Sequence, residues 1–168
     1  RQAESEGAIE QLRKEYPKHD PNMFVAKWGN IFTRQDWKDE NWGNVLANAD
    51  MRQGFIKDIF LDLDDEILKG SALYTMIAEV KPDLVIDCIN TATAIAYLDL
   101  YNTTLNAMKK LENDDMDKAV IEQVMASAYI PQLIRHTQIM YKSLCDAKST
   151  MYFKVGTSGT GGMGLNIP

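Results

Sequence analysis

The stretch Lys81-Pro-Asp-Leu-Val-Ile-Asp-Cys-Ile89 constrains this chain most. Pro82 lacks an amide proton and biases Lys81 out of the helical region, so a helix arriving from upstream ends there. Leu84-Val85-Ile86, a break at Asp87, then Cys88-Ile89 form a short, mostly apolar run with little alternation. Such a run reads as a strand buried on both faces, with Cys88 in the core. Asn90, Thr91 and Ala92 follow, small and polar, and a long helical periodicity comes after them. Strand, small polar turn, helix is the layout of an open α/β sheet, where ligands bind beyond the carboxyl ends of the strands. Asn90, Thr91 and Ala92 are therefore expected to border any site.

The rest of the chain repeats that alternation. Ala8, Ile9, Leu12 and Tyr16 recur at helical spacing, so residues 2–16 read as an amphipathic helix closed by Pro17 and Pro21. Met23-Phe-Val-Ala-Lys-Trp28 reads as a strand ended by Gly29-Asn30. Residues 33–70 are acidic and mixed. Phe55, Ile59 and Phe60 mark one helix there, and Ile67 to Val80 a further helical stretch leading into Pro82. Ile95, Leu98, Tyr101, Leu105 and Met108 mark the next helical face, and Asp115 the start of another. The pattern from Val120 to Leu144 contains Pro131, which predicts a kink or two abutting helices. Met151-Tyr-Phe-Lys-Val155 reads as a third strand. Strands separated by long helical crossovers imply an α/β fold with a doubly wound parallel sheet and right-handed connections.

Composition limits the partners. The net charge of -6 argues against a nucleic-acid backbone, whose binding needs clustered Lys and Arg. No apolar run approaches the roughly 20 residues of a membrane span, so no membrane partner is expected. Cys88 and Cys145 have no CxxC partner, which fits a reducing cytoplasm. The chain begins at Arg1 inside a helical pattern and stops just after a glycine-rich loop, and so reads as the middle of a longer protein.

The glycine loop is the strongest local signal. Gly159-Thr-Gly161-Gly-Met-Gly164 matches G-x-G-x-x-G after a strand, but the sequence stops before the helix and the acidic residue of a dinucleotide fingerprint could be seen, and Leu165-Asn-Ile-Pro168 gives no helical start. A plain turn is the common reading of such a loop. The hydroxyls Thr157, Ser158 and Thr160 argue for more, since a parallel sheet puts reactive groups at this end of a strand. His19 and His136 stand alone, so no metal site is expected, and His136 reads as a packed or surface histidine. Asp62-Leu-Asp64-Asp65-Glu66 lacks the glycine of a calcium loop and reads as a solvated acidic helix end. Asp87 inside an apolar strand calls for hydrogen bonds near the sheet end or a less buried position. Trp28, Trp37 and Trp42 read as core or interface packing.

Four pieces in order resemble the short-chain dehydrogenase/reductase superfamily, in its extended, epimerase-like branch. Lys81-Pro-Asp-Leu-Val-Ile-Asp87 resembles the lead-in to the family's fourth strand, and Asn90-Thr-Ala92 the turn beside the cofactor. Trp28-Gly-Asn-Ile31 resembles the turn after the third strand that borders the adenine, and Val155-Gly-Thr-Ser-Gly-Thr160 the fifth strand with its catalytic hydroxyl. Tyr129-Ile-Pro-Gln-Leu-Ile-Arg-His136 and residues 156–168 are similar to a bacterial group of such proteins. The resemblance implies a single partial Rossmann-like domain over residues 1–168 with a helical insertion at 33–70. It implies NAD or NADP as cofactor. Gly29, Asn30 and Ile31 would then line the adenine side, and Asn90, Thr91, Ala92 and Thr157 the ribose-nicotinamide side. Ser158, with Thr160 second, would hydrogen-bond the reacting oxygen of a hydroxy or carbonyl substrate, such as a nucleotide sugar. A homodimer is the assembly the family allows.

Asn30 stands where the family has Asp, and Leu133 falls near the position of its helix asparagine. The phosphate-binding turn would precede Arg1 and the Tyr-x-x-x-Lys pair would follow Pro168. Two rivals stay open: a non-catalytic Rossmann-like nucleotide-binding or subunit-interaction protein, and a different dinucleotide domain whose first strand and fingerprint are residues 151–164.

Overall fold

The computed structural model describes residues 2–89 and 100–155. Helix α1 (Gln2–Glu15) follows the expected spacing and ends before Pro17. Residues 23–28, expected as a strand, are not one. Asp20 caps a 3-10 turn at Pro21–Met23, its side chain accepting from Asn22 N at 2.9 Å. Side chains of α1 then take carbonyls that a ladder would use. Arg13 donates from Nε to Pro21 O (2.9 Å) and from Nη2 to Phe24 O (3.2 Å), and Ser5 Oγ donates to Lys27 O (2.8 Å). Backbone groups satisfied this way need no neighbouring strand, and Met23 and Val25 stay exposed.

Within residues 33–70 helices form where Phe55, Ile59 and Phe60 and then Ile67 mark them, and residues 33–41 and 61–64 are turns and irregular backbone. Helices α2 (Trp42–Ala47) and α3 (Ala49–Phe60) meet at Asn48, whose Oδ1 accepts from Asp50 N (3.0 Å) and Met51 N (3.1 Å). Phe55 and Ile59 of α3 bury themselves with Val45 and Ala126, and Trp37 and Trp42 close the border of this cluster. Trp42 meets Phe55 edge to face at 4.7 Å. The acidic run at 62–66 opens α4 (Asp65–Gly70), with Asp64 as its cap accepting from Ile67 N at 2.8 Å.

Gly54 sits inside α3, where alanine would ordinarily gain about 1 kcal/mol. A Cβ there would lie 2.7 Å from Trp37 Cη2, against the cluster. Gly54→Ala is therefore expected to lower the Tm in thermal denaturation followed by circular dichroism. A raised Tm would mean that the Trp37 ring yields freely.

Helix α5 (Ala72–Val80) starts on Ser71 and ends on Lys81, which takes left-handed φ of 47° ahead of Pro82. Leu73 and Ile77 of α5 join Leu68, Ile139 and Met140 in a second cluster. Strand β1 (Leu84–Asp87) follows, and β2 (Met151–Lys154) pairs with it in parallel, from Leu84 beside Met151 to Asp87 beside Lys154. Between them run α6 (Leu100–Glu112), α7 (Lys118–Ala126) and α8 (Tyr129–Ala147). Pro131 lies in the first turn of α8, where no N–H is needed, so two helices abut and none kinks. The cap of α7 is Asp117 rather than Asp115. Asp115 N instead donates to Lys110 O (2.8 Å), closing α6, and Asp117 accepts from Val120 N (2.9 Å).

The class is thus mixed α/β, mostly helical, with a two-stranded parallel sheet among the described residues. The strand is not buried on both faces. Leu84 and Ile86 are 45% and 60% exposed, whereas Asp87 on the opposite face is 6% exposed. The period of two sorts these residues onto an open and a covered face. Cys88, just past the strand, is exposed rather than in the core.

Candidate functional site

The carboxyl end of the sheet collects ionisable groups on its covered face. The register sets Asp87 beside Lys154, and the strand period puts Tyr152 on the same face. Asp87 Oδ2 accepts from Tyr152 Oη (2.8 Å) and Lys154 Nζ (2.8 Å), and its Oδ1 from Ile89 N (2.9 Å). Lys154 Nζ also donates to Ile89 O at 2.6 Å. This is the hydrogen-bonded setting that an aspartate in an apolar strand calls for. Burial disfavours the Asp87 charge, but the Lys154, Ile89 and Tyr152 hydrogen bonds and the Lys154 charge together hold its carboxyl below the ordinary range. Burial, reinforced by the bond to Asp87, pushes the Tyr152 phenol up to about 12. At neutral pH Asp87 is therefore ionised and the Tyr152 phenol keeps its proton. The trio clamps the two strand ends from which the chain leaves toward Asn90 and toward Thr157.

Beside this clamp lies His136, on α8. Its ring is buried and sits 4.7 Å from that of Phe32. Burial brings its pKa down to about 4; the Asp87 charge opposes this and the Lys154 charge adds to it. His136 also lines a cavity of about 30 Å³ with Arg34, Asp58 and Arg135. Arg34 grips Asp58 through Nε (2.8 Å) and Nη2 (2.6 Å), which raises its pKa, and reaches Glu66 at 3.5 Å. The Arg135 guanidinium donates to Leu61 O. The space suits one or a few waters and no organic substrate.

Gly29, Asn30 and Ile31 come together in one turn. Gly29 has φ of 123°, and a Cβ there would meet Lys38 Cβ at 2.9 Å, so glycine is required by conformation and by space. Asn30 N donates to Lys38 O (2.7 Å) and Asn30 Oδ1 accepts from Phe32 N (3.0 Å). Gly29 and Ile31 line a groove of about 260 Å³ whose other wall is Ala72, Thr75 and Met76 of α5. The turn therefore lies along α5, and it approaches the sheet end through Phe32 and His136. The other residues expected at a site, Asn90, Thr91, Ala92, Thr157, Ser158 and Thr160, lie outside the described residues.

Tyr152 and Lys154 escaped the sequence reading. Their signal was the Tyr-x-Lys alternation in a strand pairing with one that carries an aspartate. The groove escaped it too. Ala72, Thr75, Met76 and Glu79 form a stripe beside the core stripe of Leu73 and Ile77. Among the described residues no group of His, Cys, Asp and Glu could hold a metal ion, and no helix is long and apolar enough to cross a membrane. No protein-family model, no curated protein and no solved structure matches the chain.

Proposed function

We propose that this chain belongs to an NAD(P)-dependent oxidoreductase or epimerase of the short-chain dehydrogenase type, acting on a hydroxy or carbonyl substrate such as a nucleotide sugar, with the sheet extended to a doubly wound Rossmann-like one. The observation that supports the reading is the parallel pairing of β1 and β2, with Asp87 and Lys154 in register at their carboxyl ends. Ligands of α/β sheets bind beyond such ends. The chain runs on from them into Asn90, Thr91 and Ala92 and into Thr157, Ser158 and Thr160. The turn at Gly29, Asn30 and Ile31 fits an adenine edge: Asn30 Oδ1 accepts from Phe32 N, and its second lone pair and the amide Nδ2 would be the contacts. When bound, NAD or NADP supplies the hydride donor or acceptor. Ser158, with Thr160 second, would orient the substrate oxygen where charge develops.

A non-catalytic nucleotide-binding or subunit-interaction protein is the second reading. It is favoured by the apolar face of Leu84, Ile86, Met151 and Phe153, each exposed on the open side of the sheet. Calorimetry with NADH and NADPH tests the first reading. In the full-length protein carrying the phosphate-binding turn, binding is expected for the wild type and its loss for Ala92→Trp, with unchanged Tm. An undiminished affinity in Ala92→Trp would refute the placement, and no binding by the wild type would refute the cofactor.

A further inference from the structure

We infer that the cavity between α3, α4 and α8 is a buried binding site for one halide-sized anion, chloride in practice, held by Arg135. Arg135 is 7% exposed, and its Nη2 donates to the carbonyl of Leu61, the residue that caps the end of α3. The other two nitrogens of the guanidinium, Nε and Nη1, are buried with no hydrogen-bond partner among the described residues. A buried cation in this setting carries a desolvation penalty that an anion against it offsets. Arg135 borders the cavity of about 30 Å³, where an anion has room.

The protein's own carboxylates do not fill that role. Asp58 lines the cavity, but Arg34 takes both of its oxygens, at 2.8 and 2.6 Å. Glu66 reaches Arg34 at 3.5 Å and is exposed, as are Asp62 and Asp64. No ion pair joins Arg135 to a carboxylate among the described residues. Burial accordingly outweighs the pull of Asp58, Asp62 and Asp64 and brings the Arg135 pKa down. The lining thus holds two guanidiniums, one carboxylate and the neutral His136, an excess of one positive charge. Water could accept from Nε and Nη1 but would leave that charge unbalanced. One water needs roughly 10–15 Å³, so the space takes a halide with at most one water and excludes phosphate or an organic acid. Phe55, Ile59, Ile67 and Ile139 complete the walls and keep the local dielectric low, which strengthens a single charge pair. The anion fastens α8 to the end of α3.

The test is urea denaturation of the protein in sodium chloride and in sodium gluconate at one ionic strength, gluconate being too large for the cavity. The midpoint is expected to rise with chloride and not with gluconate, and sodium bromide should act as chloride does. Once chloride exceeds its dissociation constant, each tenfold increase should lower the unfolding constant about tenfold. Arg135→Met removes the charge and should abolish the dependence. Lys69→Met removes a charge from the exposed pair with Asp65 and should keep it. In crystals of the wild type, the anomalous signal of bromide should lie in the cavity beside Arg135, and this result decides if Arg135→Met fails to fold. The proposal falls if chloride and gluconate act alike, or if Arg135→Met keeps the dependence. It also falls if bromide sits on the surface alone, as an adventitious ion only. The charge that holds the anion lies on α8, outside the residues expected to hold a cofactor, so failure of NADH to bind leaves this site untouched.

Discussion

Lowering the pH from 7 to 4 is expected to cost the folded chain about 3 kcal/mol through His136 alone. Unfolded, this imidazole titrates near 6.5; folded, burial beside Phe32 brings it to about 4. Between these values the unfolded chain binds the extra proton and the folded chain does not, so stability rises with pH there. The contribution is complete above about pH 6.5 and is lost as pH falls toward 4. Each pKa unit is worth about 1.4 kcal/mol, which gives the expected size. The carboxyls of Asp87 and Glu122, held below their ordinary values, act in the same direction in a lower window. His19, the other histidine, is exposed. Urea denaturation at pH 7, 5.5 and 4 measures the slope. His136→Phe keeps an aromatic ring against Phe32 and should flatten it. An equal slope in wild type and variant would show that His136 is not buried neutral.

His136 also shows what the sequence could and could not reveal. A histidine on a long helix reads as packed or exposed, and only the tertiary fold decides which. The helices were legible because their periodicity and caps are local. The break at Pro131 and the parallel partnership of the strands at 84–87 and 151–154 came from local signals and from the long crossover between them. Residues 23–28 misled because β-rich composition describes a pleated surface, and it cannot foresee that Arg13 and Ser5 of a preceding helix will take the carbonyls. The strand at 84–87 misled by lacking alternation among its apolar residues. The open face of Leu84 and Ile86 is more apolar than the covered face that carries Asp87, so hydrophobicity alone points the wrong way. The sequence marked Asp87 as hydrogen-bonded near the sheet end or less buried, and the first of these is what the fold shows. It could not point to Tyr152 and Lys154 as partners, because register is a long-range property.

That partnership leads to the second large effect. Asp87→Ala is expected to destabilise the chain by about 2 kcal/mol, since it strips an acceptor from three donors at once. The largest share should come from Ile89 N–H and the Tyr152 hydroxyl. Lys154 is 40% exposed and can turn to water, so its share is discounted. Lys154→Met should cost less than Asp87→Ala, because it leaves the carboxylate two of its three hydrogen bonds. The double variant should cost less than the two single changes together, because methionine removes the cation that Asp87→Ala leaves without its carboxylate. Chemical denaturation of the four proteins at pH 7 closes the cycle. Repeated at pH 3, where protonation begins to remove the Asp87 charge in the unfolded chain and then in the folded one, the coupling should shrink. Strict additivity at pH 7 would mean that Asp87 and Lys154 are neighbours without being partners. The clamp at the carboxyl end of the sheet would then be Tyr152 and the backbone alone.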